Sequence, residues 1–281
     1  MVVLKTEITG GPERGFSVSG PETPSVPVVV SIPHAATLLG PLGLPLREDL
    51  DPRCDADLHV DALYDGLVRG PLVVAEISRF VCDLNRNSVD ITKTAVPGHP
   101  VAGGTSARGF IWETTTHGQP THTRPLTMPE WEARRDIHKA YHDAITAALS
   151  HVKALFGFAI LVDGHSMPSR GTSAHPDSGA LRAEIVPGDR DGTSCAPELT
   201  LRVSDGFRSA GYAVAPNQPY RGGFSTQYHG KPNDNVHAIQ IELRRDLYMD
   251  EVTFDVHPAG FARLRQTLDL VLRAVEGFRP G

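Results

Sequence analysis

The 281-residue sequence predicts an α/β fold on a mixed, mostly parallel sheet. Three observations point there. Segments that read as strands alternate with segments of helical periodicity, the pattern of strands joined by crossovers. Two strand candidates, "VPVVVSIPHAA" (26–36) and "FAILVD" (158–163), are unbroken apolar runs of the kind buried on both faces. Both stop abruptly at polar residues, His34 in one and Asp163-Gly164-His165-Ser166 in the other. Ligands of open α/β sheets sit just there, beyond the carboxyl ends of the strands.

The elements follow in order. Residues 1–27 are rich in Gly, Pro and Ser and predict short edge strands and turns. The first buried strand is next, ended by Pro33. "DADLHVDALYDGLVRG" (55–70) has Val60, Leu63, Tyr64 and Leu67 at helical spacing, with Asp55 and Asp57 where carboxylates cap a helix. "PLVVAEISRFVCDLNR" (71–86) predicts one or two strands running into a polar end. Residues 87–125 predict a loop, and so long a loop in a compact domain is usually functional. Residues 128–157 predict the longest helix, with Pro129 and Glu130 in its first turn and Gly157 at its end. After "FAILVD" comes a Gly- and Asp-rich loop. Residues 197–211 then predict a helix, "YAVAPN" (212–217) a short strand, 235–249 a further strand, and 258–277 an amphipathic helix. No repeat or interdomain linker is visible, so a single domain over 1–281 is expected.

A net charge of -6 argues against a nucleic-acid partner, which needs a basic face. Cys54, Cys82 and Cys195 are widely spaced and odd in number, which disfavours both a disulfide framework and a thiolate zinc site and favours a reducing compartment. The first 15 residues are too polar for a secretory signal, and no run reaches membrane-spanning length. A cytoplasmic enzyme acting on a small molecule, without a membrane partner, is the expectation.

The polar residues at the strand ends carry the chemistry. His34 and His165 each end a buried-type strand. Neutral imidazoles and a carboxylate are the donors of a catalytic zinc site. Asp57 is a third candidate ligand and Asp55 its neighbouring competitor. Glu242 alternates with Ile241 and Leu243 in "AIQIEL", and an ionised carboxylate buried there is costly without a partner. It reads either as a salt-bridge partner of Arg244 on a half-exposed strand or as a general base beside an activated water. Asn85 and Arg86 offer an amide and a planar guanidinium that matches a carboxylate, or else simply cap a strand end. "YRGGFSTQYHG" (220–230) presents Ser225, Thr226 and Tyr228 after a Gly pair, and otherwise reads as a hairpin or loop. "DGHSMP" nearly matches a nucleophile elbow, with Ser166 as nucleophile and Asp189 and His237 as conceivable triad partners.

"VSIPHAA", "DADLHVDALYD", "SRFVCDLNR", "LVDGHSMP", "GDRDGTSC" and "GGFSTQYHGKPNDNVHAIQIEL" occur in this order, and from about residue 27 to about residue 252 the chain resembles the N-formylglutamate amidohydrolase family. The resemblance implies a three-layer αβα fold distantly like the zinc carboxypeptidases, with one zinc ion at the strand ends. It implies His34, Asp57 and His165 as the ligands, Asp57 being preferred to Asp55, and Glu242 as the general base. Asn85 and Arg86 would grip the α-carboxylate. For the hydrolysis so expected, Arg79 is the candidate donor to the oxyanion, and the hydroxyls of Thr226 and Tyr228 are candidate substrate contacts. The implied reaction is hydrolysis of N-formyl-L-glutamate, by a monomer or homodimer. Two departures stand out: Gln227 occupies a position where the family often has Arg, and Tyr228-His229 reverses the family's His-Tyr order. The rivals are a zinc amidase or carboxypeptidase acting on another N-acyl amino acid or peptide, a serine hydrolase using Ser166, and a non-catalytic carboxylate-binding protein.

Overall fold

The computed structural model describes residues 9–11, 14–40 and 42–281. Residues 1–8, 12 and 13, part of the expected edge-strand region, lie outside the described residues. Seven strands form one sheet: β1 (Thr9–Gly11), β2 (Phe16–Ser19), β3 (Val28–Ile32), β4 (Leu72–Ala75), β5 (Ala159–Met167), β6 (Ile185–Gly188) and β7 (Val236–Arg244). Their spatial order is β1-β2-β4-β3-β5-β7-β6. The four central strands, β4, β3, β5 and β7, are parallel, and β1, β2 and β6 are antiparallel additions at the two edges. The mixed, mostly parallel sheet is therefore found.

Helices cover both faces. Helix α2 (Met128–Phe156) lies over one face, its Tyr141, Ile145, Leu149 and Val152 packing with Val29, Leu161 and Ala238. Helices α1 (Val60–Tyr64), α3 (Pro197–Ser209) and α5 (Pro258–Glu276) cover the other, against Val30, Ile32, Val162, Ile239 and Ile241. The period-2 alternation of each strand thus feeds two separate apolar cores. Helix α2 starts with a capping box in which Thr127 and Glu130 satisfy each other's backbone, and it ends on Gly157 at φ 81°, a left-handed position that favours glycine.

Four expectations need correction. Helix α1 spans only five residues, because Asp57 N donates to the His34 carbonyl (2.9 Å) and His59 is left-handed (φ 65°), so the helix starts only after them. The stretch 71–86 yields a single four-residue strand: after Ala75 the chain leaves the sheet, and Ile77, Phe80, Val81 and Leu84 are buried beneath the loop 87–125 instead. "YAVAPN" forms no strand and makes only an isolated bridge from Val214 to Ile185. Its place at the edge is taken by β6, in a segment expected to be loop, where Pro187 costs no interior ladder bond. Residues 224–229, expected as hairpin or loop, form the short helix α4 (Phe224–His229).

Candidate active site

The face of the sheet under α2 changes character along the strands. Val29, Leu161 and Ala238 are apolar, but the next residues on the same face are Ser31 in β3, Asp163 and His165 in β5, and Gln240 and Glu242 in β7. All five are buried. The polar ends open into a cavity of about 380 Å³, at the small end of the range for ligand pockets, roughly 300–1,000 Å³. Its lining includes His34, Asp57, Arg79, Asn85, Arg86, His165 and Glu242. Gly164, on the opposite face, cannot carry a side chain: a Cβ there would lie 2.6 Å from Ile32 and 2.9 Å from the Tyr64 ring. That close packing fixes the height of His165 in the sheet.

His34, Asp57 and His165 converge, each offering one ligand atom within 4.8 Å of the others. The outward nitrogens are already committed: His34 Nε2 donates to Asp83 Oδ1 (2.8 Å) and His165 Nε2 to Asp163 Oδ2 (2.9 Å). Both Nδ1 atoms are thereby turned toward Asp57 Oδ2, at 3.7 Å and 3.1 Å. A carboxylate that fixes a histidine tautomer is the usual outer shell of a metal ligand. Asp83 is itself held, accepting from Trp112 Nε1 (3.0 Å) and the Asn85 amide (2.8 Å). Asp163 accepts from Ser31 Oγ.

The electrostatics favour a positive charge at this point. Burial opposes ionisation of Asp57, but Arg79, His165 and His34 outweigh it and hold the carboxyl well below the usual range. Burial likewise opposes protonation of His165, yet Asp163, Asp57 and Glu242 push its pKa up to about 10. A proton is thus bound tightly where a cation would replace it. His34 Nδ1 is buried and makes no hydrogen bond, which leaves a donor atom unsatisfied unless a ligand meets it. The residues present fit a divalent ion.

Glu242 is paired with His165 across the β5–β7 ladder. It is no partner of Arg244, whose guanidinium faces Asp246 (2.7 Å) and Glu184 (3.7 Å), and β7 is an interior strand. Glu242 Oε1 accepts from Gln240 Nε2 (2.8 Å), whereas Oε2 is buried without a partner. Burial pushes the carboxyl up to about 7, reinforced by Asp57 and opposed by His165, Arg79 and Arg245.

The other expected residues divide. Arg79 lies over the Trp112 ring (5.1 Å), with Nη2 3.7 Å from Asp57 Oδ1 and Nε unpaired, so it faces the cluster. Arg86 lines the cavity, its guanidinium bonded among the described residues only to the Asn85 carbonyl (3.0 Å). Asn85 also lines it, but its amide is used inside the protein, accepting from Ser225 N (2.8 Å) and donating toward Gln240 Oε1 (3.3 Å). Gly223 exists to admit that amide, since a Cβ there would lie 2.4 Å from Asn85 Nδ2. Thr226 and Tyr228 do not line the cavity, contrary to expectation. The turn of α4 directs Thr226 Oγ1 to the Gly223 carbonyl (2.9 Å) and leaves Tyr228 48% exposed, stacked on Phe224. Gln227, exposed on the same helix, is also outside it.

Asp55, the competitor of Asp57, is bonded by Thr116 through its amide (3.0 Å) and hydroxyl (2.5 Å) and is absent from the three-residue cluster. Ser166 lines the cavity, but Asp189 bonds Thr200 (2.6 Å) and Asn217 (2.7 Å), and His237 accepts from Ala196 N (3.1 Å). Neither lines the cavity, so no triad forms with them. Sequence reasoning missed Arg245. Its buried guanidinium bonds Asp57 Oδ1 (3.1 Å) and Ser166 Oγ (3.1 Å) and braces the carboxylate from behind. In sequence it is one of two adjacent arginines past a strand, with nothing to show which turns inward. Asp83 and Asp163 were visible only as polar strand ends; their contacts with the histidines needed the fold.

A buried Glu242 beside two carboxylate-oriented histidines and Asp57, at the carboxyl end of a central parallel sheet, is the arrangement of an α/β enzyme with residues that could hold a metal ion. The model of the N-formylglutamate amidohydrolase family matches residues 26–249. The chain is 32% identical over 259 residues to the N-formylglutamate deformylase of Pseudomonas aeruginosa, covering 88% of this chain and 93% of that one. It is also 32% identical over 233 residues to the N-formylglutamate deformylase of Pseudomonas putida, covering 80% and 83%. The crystal structure of N-formylglutamate amidohydrolase from Ralstonia eutropha JMP134 superposes with a TM-score of 0.83 at 34% identity, covering 94% of this chain and 98% of that one. This chain belongs to the N-formylglutamate amidohydrolase family and is a hydrolase acting on a carbon–nitrogen amide bond.

Proposed function

We propose that the protein hydrolyses N-formyl-L-glutamate to formate and L-glutamate. The observation that carries this reading is the meeting, in one small cavity, of the buried His34–Asp57–His165 cluster and the unpartnered Glu242 Oε2. The relatives' names supply the substrate.

His34, Asp57 and His165 would hold one divalent cation, and two imidazoles with a carboxylate are donors that suit zinc. When bound, the ion would supply Lewis acidity and make water a nucleophile near neutral pH. The chain's own residues do the rest. Glu242 Oε2 takes a proton from the water whose oxygen attacks the formyl carbon, and delivers it to the amide nitrogen as the C–N bond breaks. A carboxyl pushed up to about 7 suits a group that must accept and then return a proton. Arg79 places positive charge where the carbonyl oxygen becomes an oxyanion. Arg86 pairs with the substrate α-carboxylate and fixes the amide over the base, while Asn85 positions the segment that carries it. The same reading puts the enzyme in the cytoplasm, at the last step of one histidine-degradation route.

Formate release from N-formyl-L-glutamate, before and after chelation and re-addition of zinc, tests the proposal. Zinc-dependent release is expected. Release that survives complete removal of metal defeats the metal-site reading, and no release from zinc-loaded protein defeats the substrate.

A further inference from the structure

The cavity carries more positive charge than hydrolysis of a monocarboxylate needs. Of its five lining arginines, Arg245 is bonded to Asp57, Arg221 to Asp191 (2.9 Å), and Arg79 leans on Asp57. Arg86 and Arg108 have no carboxylate within ion-pair distance among the described residues. Arg86 already serves the α-carboxylate. Arg108 remains.

Arg108 comes from the long loop 87–125, and its Nη2 donates to the Ala174 carbonyl (3.1 Å) in the loop after β5. One of its N–H donors is thus used, the bond goes to a neutral oxygen, and the side chain is only partly buried along the cavity wall. The guanidinium is therefore tethered in place while most of its hydrogen-bonding capacity stays open. A planar fork held in this way is suited to a carboxylate, which it can bind bidentately.

We propose that Arg108 is the specificity residue of the site: it binds the side-chain carboxylate of the substrate and makes the enzyme selective for acidic N-acyl amino acids. This rests on the functional reading above, with Arg86 holding the α-carboxylate. It also accounts for Gln227. An arginine is not needed on exposed α4 when a cation reaches the cavity from the loop 87–125.

The competing role for Arg108 is a structural cross-link between two loops, and selectivity separates the two. N-formyl-L-glutamate and N-formyl-L-glutamine differ by a charge at nearly constant shape. Wild type is expected to prefer the glutamate substrate in kcat/KM. In Arg108→Gln the KM for that substrate should rise about 10- to 100-fold, the range for a lost charged hydrogen-bonded contact, with a much smaller change for the glutamine substrate, so that the preference collapses. Arg108→Lys should keep part of it. Equal losses on both substrates, or an unchanged ratio, overturn the assignment while leaving the deformylase reading standing. Wild-type protein inert on both substrates overturns that reading and this assignment with it. Glutarate, but not butyrate, should raise the Tm of wild type more than that of Arg108→Gln; equal shifts also count against the subsite.

Discussion

Glu242 and His165 are register partners in adjacent parallel strands, so the proposed base and one ligand of the proposed cation are held at a separation set by the sheet itself. Nothing in that arrangement depends on a loop. Replacing Glu242 by Gln keeps the shape and the bond with Gln240 but removes the proton acceptor. Turnover of the zinc-loaded enzyme should fall about 10²- to 10⁴-fold, the usual worth of a general base, with bound zinc unchanged by elemental analysis. Activity near that of wild type would remove Glu242 from the mechanism.

Asp83 does not itself line the cavity, yet it orients His34 through the 2.8 Å bond to Nε2. Burial opposes its charge, but His34, Arg86 and Arg79 hold its carboxyl well below the ordinary range, so it is an anion at every working pH. Asp83→Asn should weaken zinc affinity about 10- to 100-fold, as loss of an outer-shell partner commonly does. Competition against a chelator of known affinity measures this without any assay of activity. An unaltered affinity would mean that His34 is oriented without Asp83.

Much of this site was legible from a one-dimensional rule. A buried strand that ends in His, or that carries Glu opposite Ile241 and Leu243, violates the cost of burying charge, and such violations marked His34, His165 and Glu242. Family resemblance was needed to choose Asp57 over Asp55, because both begin the same polar turn, and the contacts that separate them, Thr116 with Asp55 and His165 and Arg245 with Asp57, come from residues distant in sequence. Arg245 and Arg108 were illegible: an arginine's direction is decided by tertiary contacts, and the sequence holds 27 Lys and Arg residues to choose from. Strand β6 was hidden for a similar reason. Its "IVPG" contains Pro and Gly and pairs only at an edge, so local propensity reads it as loop.

Under the site, His142 and His229 share one proton. His142 Nε2 donates to the Leu84 carbonyl (2.8 Å), so its Nδ1 must accept from His229 Nε2 (3.0 Å). Burial depresses both pKa values, His229 to about 4 and His142 well below its ordinary value, with His138 and His229 adding repulsion at His142. In the unfolded chain these groups titrate near 6.5. The unfolded state therefore binds more protons below that pH, and stability, complete above about 6.5, is lost as pH falls toward 4. The Tm of wild type should drop over this interval more steeply than that of His229→Gln, whose amide can still donate to His142 but does not titrate. Parallel profiles for the two proteins would show that the pair does not contribute.

The serine-hydrolase alternative predicts that Ser166→Ala abolishes turnover, by the orders of magnitude typical of a lost nucleophile. In the structure the Ser166 hydroxyl serves as a brace, since Oγ accepts from Arg245 Nε (3.1 Å) and Arg245 in turn bonds Asp57. Removing the hydroxyl leaves one buried guanidinium N–H unsatisfied, at a cost of about 1–3 kcal/mol in stability. Asp57 keeps its bond to Arg245 Nη2, so the cluster persists. Denaturant unfolding should therefore show the loss, while kcat for formate release falls less than about tenfold, a change too small for a missing nucleophile. The opposite result, intact stability with turnover gone, would restore Ser166 as the attacking group and displace Glu242.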